Sequence, residues 1–315
     1  MTQTAEPAPA APHRGWLLFC LFALYVIWGA TYLAIRWALE GGFPPLLMGG
    51  IRFTLAGAIL YAVLRLRGRP APTRPQWMAG AFTGLLLLGV ANGCVVYAQQ
   101  WVPSGVAALV LGTMPLWATL FGGLYDGLWP GRAERWGLAL GFLGIVLLNK
   151  GGELGHQWVP ALALLLAPVS WAFGSIWGRR SPSMPQGLMA AAAQMLCSGI
   201  MLLGAGFARG ERMVGVPEPR ALAAFFYLVA FGSLIAFSAY GYLLRHARPS
   251  LATSYAYVNP LVAMLLGVGL GGETPGAYAV VAMAAILVAV MLITRKAPAQ
   301  PRTEPQAMVA GKPSG

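Results

Sequence analysis

Charge is scarce in this chain. Asp, Glu, Lys and Arg make up 10% of its 315 residues, while 58% are hydrophobic. A soluble domain carries roughly 25% charged residues, so the composition excludes an ordinary water-soluble fold. Cysteine is scarce too: Cys20, Cys94 and Cys197 each lie inside an apolar run, where a thiol behaves as a small hydrophobe. No disulfide framework or zinc spacing follows from them. His13, His156 and His246 are scattered over loops and a tail and form no metal or proton-relay cluster. The acids Glu40, Asp126, Glu134, Glu153, Glu211, Glu218 and Glu273 fall in loops or at the ends of apolar runs. The net charge of +12 sits in short loops and not on one contiguous surface, so no nucleic-acid partner is expected. What remains is a polytopic membrane protein.

The apolar runs predict ten spans, at 16–37, 44–64, 77–97, 104–124, 135–149, 158–178, 187–207, 221–243, 250–270 and 277–294. A membrane helix needs roughly 20 apolar residues, so the fifth is short. The first run exceeds a signal-peptide core and reads as an uncleaved anchor. Residues 1–15 and 296–315 are rich in proline and polar residues and read as disordered tails. Arg14, Arg65, Arg67, Arg69, Arg74, Arg132, Arg135, Arg179, Arg180, Arg245, Arg248 and the C-terminal cluster Arg295, Lys296, Arg302 and Lys312 fall on one side. Arg36, Lys150, Arg209, Arg212 and Arg220 fall on the other. The bias predicts both termini in the cytoplasm.

Residues 249–273 (PSLATSYAYVNPLVAMLLGVGLGGE) carry Pro260 near their middle. Proline lacks an N–H, so the carbonyl of Ala256 loses its helical partner and the chain kinks. Hydrocarbon offers no water to a freed carbonyl, so that face must meet protein or a wet cavity. The stretch has a second copy. In one register Pro260 falls on Pro115, Tyr242 on Tyr97, Leu261 on Leu116, Ala263 on Ala118 and Pro275-Gly276 on Pro130-Gly131. In slightly different registers Trp171 matches Trp28 and Gly199 matches Gly57. Two halves, 16–150 and 157–295, thus hold five spans each. An odd count inverts the second half in the membrane, and interrupted helices at matching places point to a solute site between the repeats. Pro115 and Pro260 are the expected hinges. Gly137 and Gly141, with Ala285 and Ala289, give the fifth spans of the halves faces that allow close packing, internally or between two copies.

Arg52 lies well inside the second span, where a charge is expensive and needs a partner or a wet cavity. It either clamps backbone carbonyls or meets a substrate carboxylate. With no carboxylate inside any span, the reading leans to facilitated diffusion or exchange and away from proton coupling. Aromatic residues near mid-depth add candidates for lining a solute cavity: Trp28, Tyr32, Tyr97, Trp117, Trp171, Tyr240, Tyr255 and Tyr257. Such rings favour aromatic or cationic solutes, although each ring singly serves packing as readily. Asn92, Thr113, Ser175 and Asn259 add polar groups, the two asparagines being the costliest to bury.

The motifs YVIWGATYLAIR, GGIRFTLAG, VPSGVAALVLGTMPL, SWAFGSIWGRR and the 249–273 stretch, in that order, resemble the drug/metabolite transporter superfamily. The resemblance is to its EamA-type ten-helix branch, close to YedA-type exporters and more distantly to YddG-type aromatic amino-acid exporters. It implies an all-α integral membrane fold of ten helices, as two five-helix inverted-topology repeats around a central cavity. It also implies export of amino acids or small amphipathic metabolites across a bacterial inner membrane, without a cofactor or metal. The segment LYDGLWPGRAER departs from the branch by lacking a Gly-Glu after the fourth span, which leaves the role of the matching Glu273 open. The expected partners are a small-molecule solute and the lipid bilayer, with a monomer expected and a homodimer as alternative. A proton-coupled antiporter is the rival mechanism. A membrane-embedded enzyme would need a nucleophile–base pair, a metal cluster or a carboxylate pair at membrane depth. A channel would need a ring of like polar residues. The sequence shows neither pattern.

Overall fold

The computed structural model describes residues 14–127, 129, 131–152, 154, 157–246 and 254–294, with backbone alone at 244–246, 257, 293 and 294. Among the described residues the structure is all-helical, in ten spans: α1 (Arg14–Glu40), α2 (Pro45–Leu66), α3 (Arg74–Ala98), α4 (Ser104–Leu111 and Met114–Asp126), α5 (Arg132–Lys150), α6 (Trp158–Arg180), α7 (Leu188–Ala208), α8 (219–246), α9 (Tyr255–Gly269) and α10 (Ala277–Thr294). Seven of them, α1–α4 and α6–α8, are long and apolar enough to cross a membrane. The tails expected at 1–15 and 296–315 lie outside the described residues, except that α1 already begins at Arg14. Pro130 also lies outside them.

The fifth span is longer than its apolar run. Arg132, Glu134 and Arg135 form a polar first turn, and Glu134 reaches back to accept the Gly131 N–H at 2.6 Å. That capping contact satisfies an end donor, so the helix starts before the hydrophobic stretch does. Thr73 and Gln76 open α3 in the same way. Large apolar side chains such as Phe22, Ile59 and Leu265 face outward, as lipid requires.

Equivalent spans of the two halves pack on each other. α2 lies along α7, and α5 along α10. At the first contact, a Cβ on Gly199 would stand 2.4 Å from the Thr54 backbone nitrogen, and one on Gly57 2.7 Å from that of Leu196. Only glycine lets the two backbones approach so closely. At the second, Gly144 meets Ile286 of α10. Gly137, Gly141 and Ala289 are buried as well, Gly141 against Leu116 of α4, so these small residues serve packing inside the protein.

Three helices are irregular. In α4, residues Gly112 and Thr113 break the helix just before Pro115. In α3 and α8 the stretches Leu85–Asn92 and Leu228–Ile235 are wound as π-helix. The register that carries Trp28 onto Trp171 carries one stretch onto the other. π-Turns widen the backbone ladder and are uncommon at this length. Composition gives no signal for them, because they depend on what packs alongside.

Candidate solute-binding cavity

The two proline-containing helices meet. α9 packs against the first piece of α4, and Gly112 faces its proline: a Cβ there would lie 3.0 Å from Pro260 Cγ and 3.3 Å from the Ala256 carbonyl oxygen. The carbonyl that Pro260 releases thus points at the break in α4. Beside this junction lies a cavity of about 80 Å³, lined by residues from α1, α2, α3, α4, α6, α8 and α9.

Of the side chains singled out from the sequence, Trp28, Tyr32, Arg52, Asn92, Trp171, Tyr255 and Asn259 line it, together with Pro260. Trp28 is the hub of an aromatic wall, with ring centroids 5.0 Å from Tyr255, 5.4 Å from Phe237 and Tyr240, and 6.3 Å from Trp171. The Trp28 N–H donates to the Gly232 carbonyl at 3.2 Å, in the π-stretch of α8. Arg52, buried, donates from Nε to Ser233 Oγ in the same stretch at 3.0 Å. Ser170 of α6 donates to the Leu86 carbonyl in the π-stretch of α3 at 2.7 Å. The first span of each half therefore donates to the wide-wound third span of the other half. Extra carbonyl exposure in a π-turn makes those acceptors available.

Asn259 Oδ1 is buried at the cavity with no hydrogen-bond partner among the described residues. An unsatisfied buried acceptor costs about 1–3 kcal/mol, a cost that a ligand donor can remove.

Other candidates lie elsewhere. Tyr240 stands behind Trp28 as part of the aromatic wall, off the lining itself. Tyr97 packs on Trp101 and lies under Arg209, in a loop environment at the end of α3. Thr113 turns inward to its own helix, donating to the Val110 carbonyl at 2.6 Å. Trp117 packs edge-on against Phe142 of α5, its N–H buried without a partner among the described residues. Ser175 is half-buried on α6, away from the lining. Pro115 itself is off the lining, which Gly112 and the adjacent Met114 supply. The side chain of Tyr257 lies outside the described residues. The helical break in α4 and the π-turns rotate side chains by amounts that span assignment alone does not give. Sequence reasoning did not place Thr31 and Phe237 at the cavity, though both line it. It also passed over Gln99, whose side-chain N–H donates to the Tyr32 carbonyl at 2.8 Å. Among the described residues no three His, Cys, Asp or Glu side chains are grouped to hold a metal ion.

A ten-helix bundle with an aromatic cavity where a broken helix meets a proline-containing one is the architecture of a membrane transporter. The chain belongs to the EamA-like transporter family, whose model matches it twice, at residues 15–150 and 158–295. It is thereby a member of the drug/metabolite transporter superfamily, with two repeats of five helices. It is 47% identical over 280 residues to the inner membrane transporter YedA of Escherichia coli strain K12, a match covering 88% of this chain and 90% of that one. Protein PecM of Dickeya dadantii strain 3937 is 30% identical over 258 residues, covering 78% of this chain and 82% of PecM. A solved crystal structure shares the fold, with a TM-score of 0.63 and 23% identity, over 90% of this chain and 98% of that chain.

Proposed function

We propose that this transporter exports small organic solutes, amino acids with aromatic or amphipathic bodies among them, across the bacterial inner membrane. The mechanism is alternating access by facilitated diffusion or exchange. The observation that carries the reading is the cavity at the crossing of α4 and α9, where an aromatic wall stands with buried Arg52 and the unpartnered Asn259 acceptor. A solute with an aromatic or cationic body would stack on Trp28 and Trp171. Its amino group would satisfy Asn259, and its carboxylate would meet Arg52. Lining residues among those described include no Asp, Glu or His, which supports transport without a proton relay. Inverted repeats are supported by the pairing of α2 with α7 and of α5 with α10, and by the matched π-stretches. Loop charge supports cytoplasmic termini. A monomer is supported by the burial of Gly137, Gly141 and Ala289 of α5 and α10 within the chain. Transport and not catalysis is supported by the kinship with YedA.

The test is counterflow in proteoliposomes with labelled aromatic amino acids and their decarboxylated amines, with and without a pH gradient. Saturable exchange with little gradient dependence is the expected outcome. Strong gradient driving would replace exchange by proton antiport, and unsaturable flux would indicate a channel. With Arg52→Ala, assembled protein that loses transport of carboxylate-bearing solutes but keeps the amines would place the carboxylate at Arg52. Loss of assembled protein would make the arginine a structural clamp.

A further inference from the structure

A second hollow of about 490 Å³ lies at the far end of α1, lined by Arg36, Gln99, Gly105, Met264 and Glu273 among others. The helices that line it also line the central cavity, about one turn further in. Arg36 stands next to Ile35 on α1, Gly105 precedes Ala108 on α4, and Met264 follows Pro260 on α9. The layer between vestibule and cavity is therefore about one helical turn deep along α4 and α9. The carboxylate of Glu273, in the connection between α9 and α10, holds that layer together. Its Oε1 accepts from the Ser104 backbone N–H and from Arg36 Nη1, both at 2.7 Å, and its Oε2 accepts from the Gly105 N–H at 3.1 Å. Arg36 is fixed in turn by Glu40, Nε to Oε1 at 2.7 Å. The Glu273 side chain is only 7% exposed. Gly267 makes room for it: a Cβ there would stand 2.4 Å from Oε2.

We infer that Glu273, bridging α1 and the start of α4 from the other half of the chain, is the latch that keeps the vestibule-side gate of the transport cavity closed. The inference rests on the proposed transport path. Charge-assisted bonds to Arg36 and to two end-of-helix N–H groups are strong and directional, and all three break together when α9 draws away from α4. The register that carries Pro260 onto Pro115 carries Glu273 onto Leu128, so the first half supplies no carboxylate at the matching position. The latch is therefore one-sided. It biases the resting protein towards closure at the vestibule, and opening there is the step at which bound solute must offset its loss.

A reporter cysteine tests this directly. Ala108→Cys is placed in a background with Cys20, Cys94 and Cys197 changed to Ala, and labelled with a membrane-impermeant thiol reagent. The reagent is added to right-side-out and, separately, to inside-out membrane vesicles. Glu273→Gln is expected to speed labelling from the vestibule face about tenfold, equivalent to ~1.4 kcal/mol removed from the closed state. Labelling from the opposite face should not rise. Unchanged labelling, or an equal rise from both faces, overturns the latch. Arg36→Gln tests the same contact from its more exposed end if Glu273→Gln does not assemble, and Arg36→Lys should restore slow labelling. Wild-type counterflow separates the two readings. Absent flux with latch-dependent labelling rejects the transport path alone, and saturable flux with latch-independent labelling rejects the latch alone.

Discussion

Gly112 of α4 stands against Pro260 of α9, the broken turn of one helix seated on the proline of the other. The contact joins the two halves of the chain at the cavity, and both helices need it, since the break in α4 and the missing N–H of Pro260 in α9 leave backbone groups that lipid would not satisfy.

Gly112→Ala puts a methyl 3.0 Å from Pro260 Cγ, tight but open to a small shift, whereas Gly112→Val adds two more carbons. Overpacking typically costs about 1–3 kcal/mol. The alanine variant should lower the melting temperature in detergent slightly and slow transport; the valine variant should lower both sharply. Valine with wild-type melting and counterflow would show that the helices separate freely here.

Asn259→Leu is expected to uncouple stability from function. It removes a buried acceptor that lacks a partner, which should leave the melting temperature unchanged or raise it by the equivalent of about 1 kcal/mol. Solute affinity should fall by about tenfold or more. A destabilised variant with normal affinity would mean that Asn259 serves packing alone.

Trp28→Phe keeps the ring contacts but deletes the N–H that caps the Gly232 carbonyl. Leaving that carbonyl bare costs about 1–3 kcal/mol. The expected result is a lower melting temperature with aromatic solutes still stacked and bound within a few-fold. Trp28→Ala should lose affinity for aromatic solutes as well, measured by competition in the counterflow assay.

The Glu273 latch has a defined pH range. Burial alone would raise its carboxyl pKa, but the hydrogen bonds from Ser104, Arg36 and Gly105 outweigh it and hold the value below the ordinary 4.5. A depressed carboxylate contributes stability that is complete above its unfolded value and lost as pH falls through the folded one. Arg36 and Glu40 are the charged groups facing it from α1, and α4 contributes backbone N–H groups. The melting difference between wild type and Glu273→Gln should stay constant from neutral pH down to about 5 and shrink only in stronger acid. A Glu40→Gln background removes the neighbouring acid from the comparison. A difference that vanishes near neutrality would mean that the carboxylate titrates there.

The sequence by itself determined the class of fold. Composition, span length and the ordered recurrence of Pro115 and Pro260 suffice for a ten-span bundle in two halves, because hydrocarbon forces every spanning backbone into helix. Arg52, Trp28 and Asn259 were legible as candidates for a simple reason: polar or amphipathic groups at mid-depth are costly unless they meet a cavity or a partner. Only tertiary packing decided the remainder. The π-stretches of α3 and α8 exist where donors from the opposite half reach them, so no local propensity announces them. Tyr97 sits at the end of α3 beside Trp101 and Thr113 bonds back to its own helix, placements that span boundaries do not encode. Glu273 looked like a loop acid from its neighbours in sequence. Its partners Arg36 and Ser104 are brought to it only when the two halves close on one another, and a contact between halves is fixed by packing energy that no single segment contains.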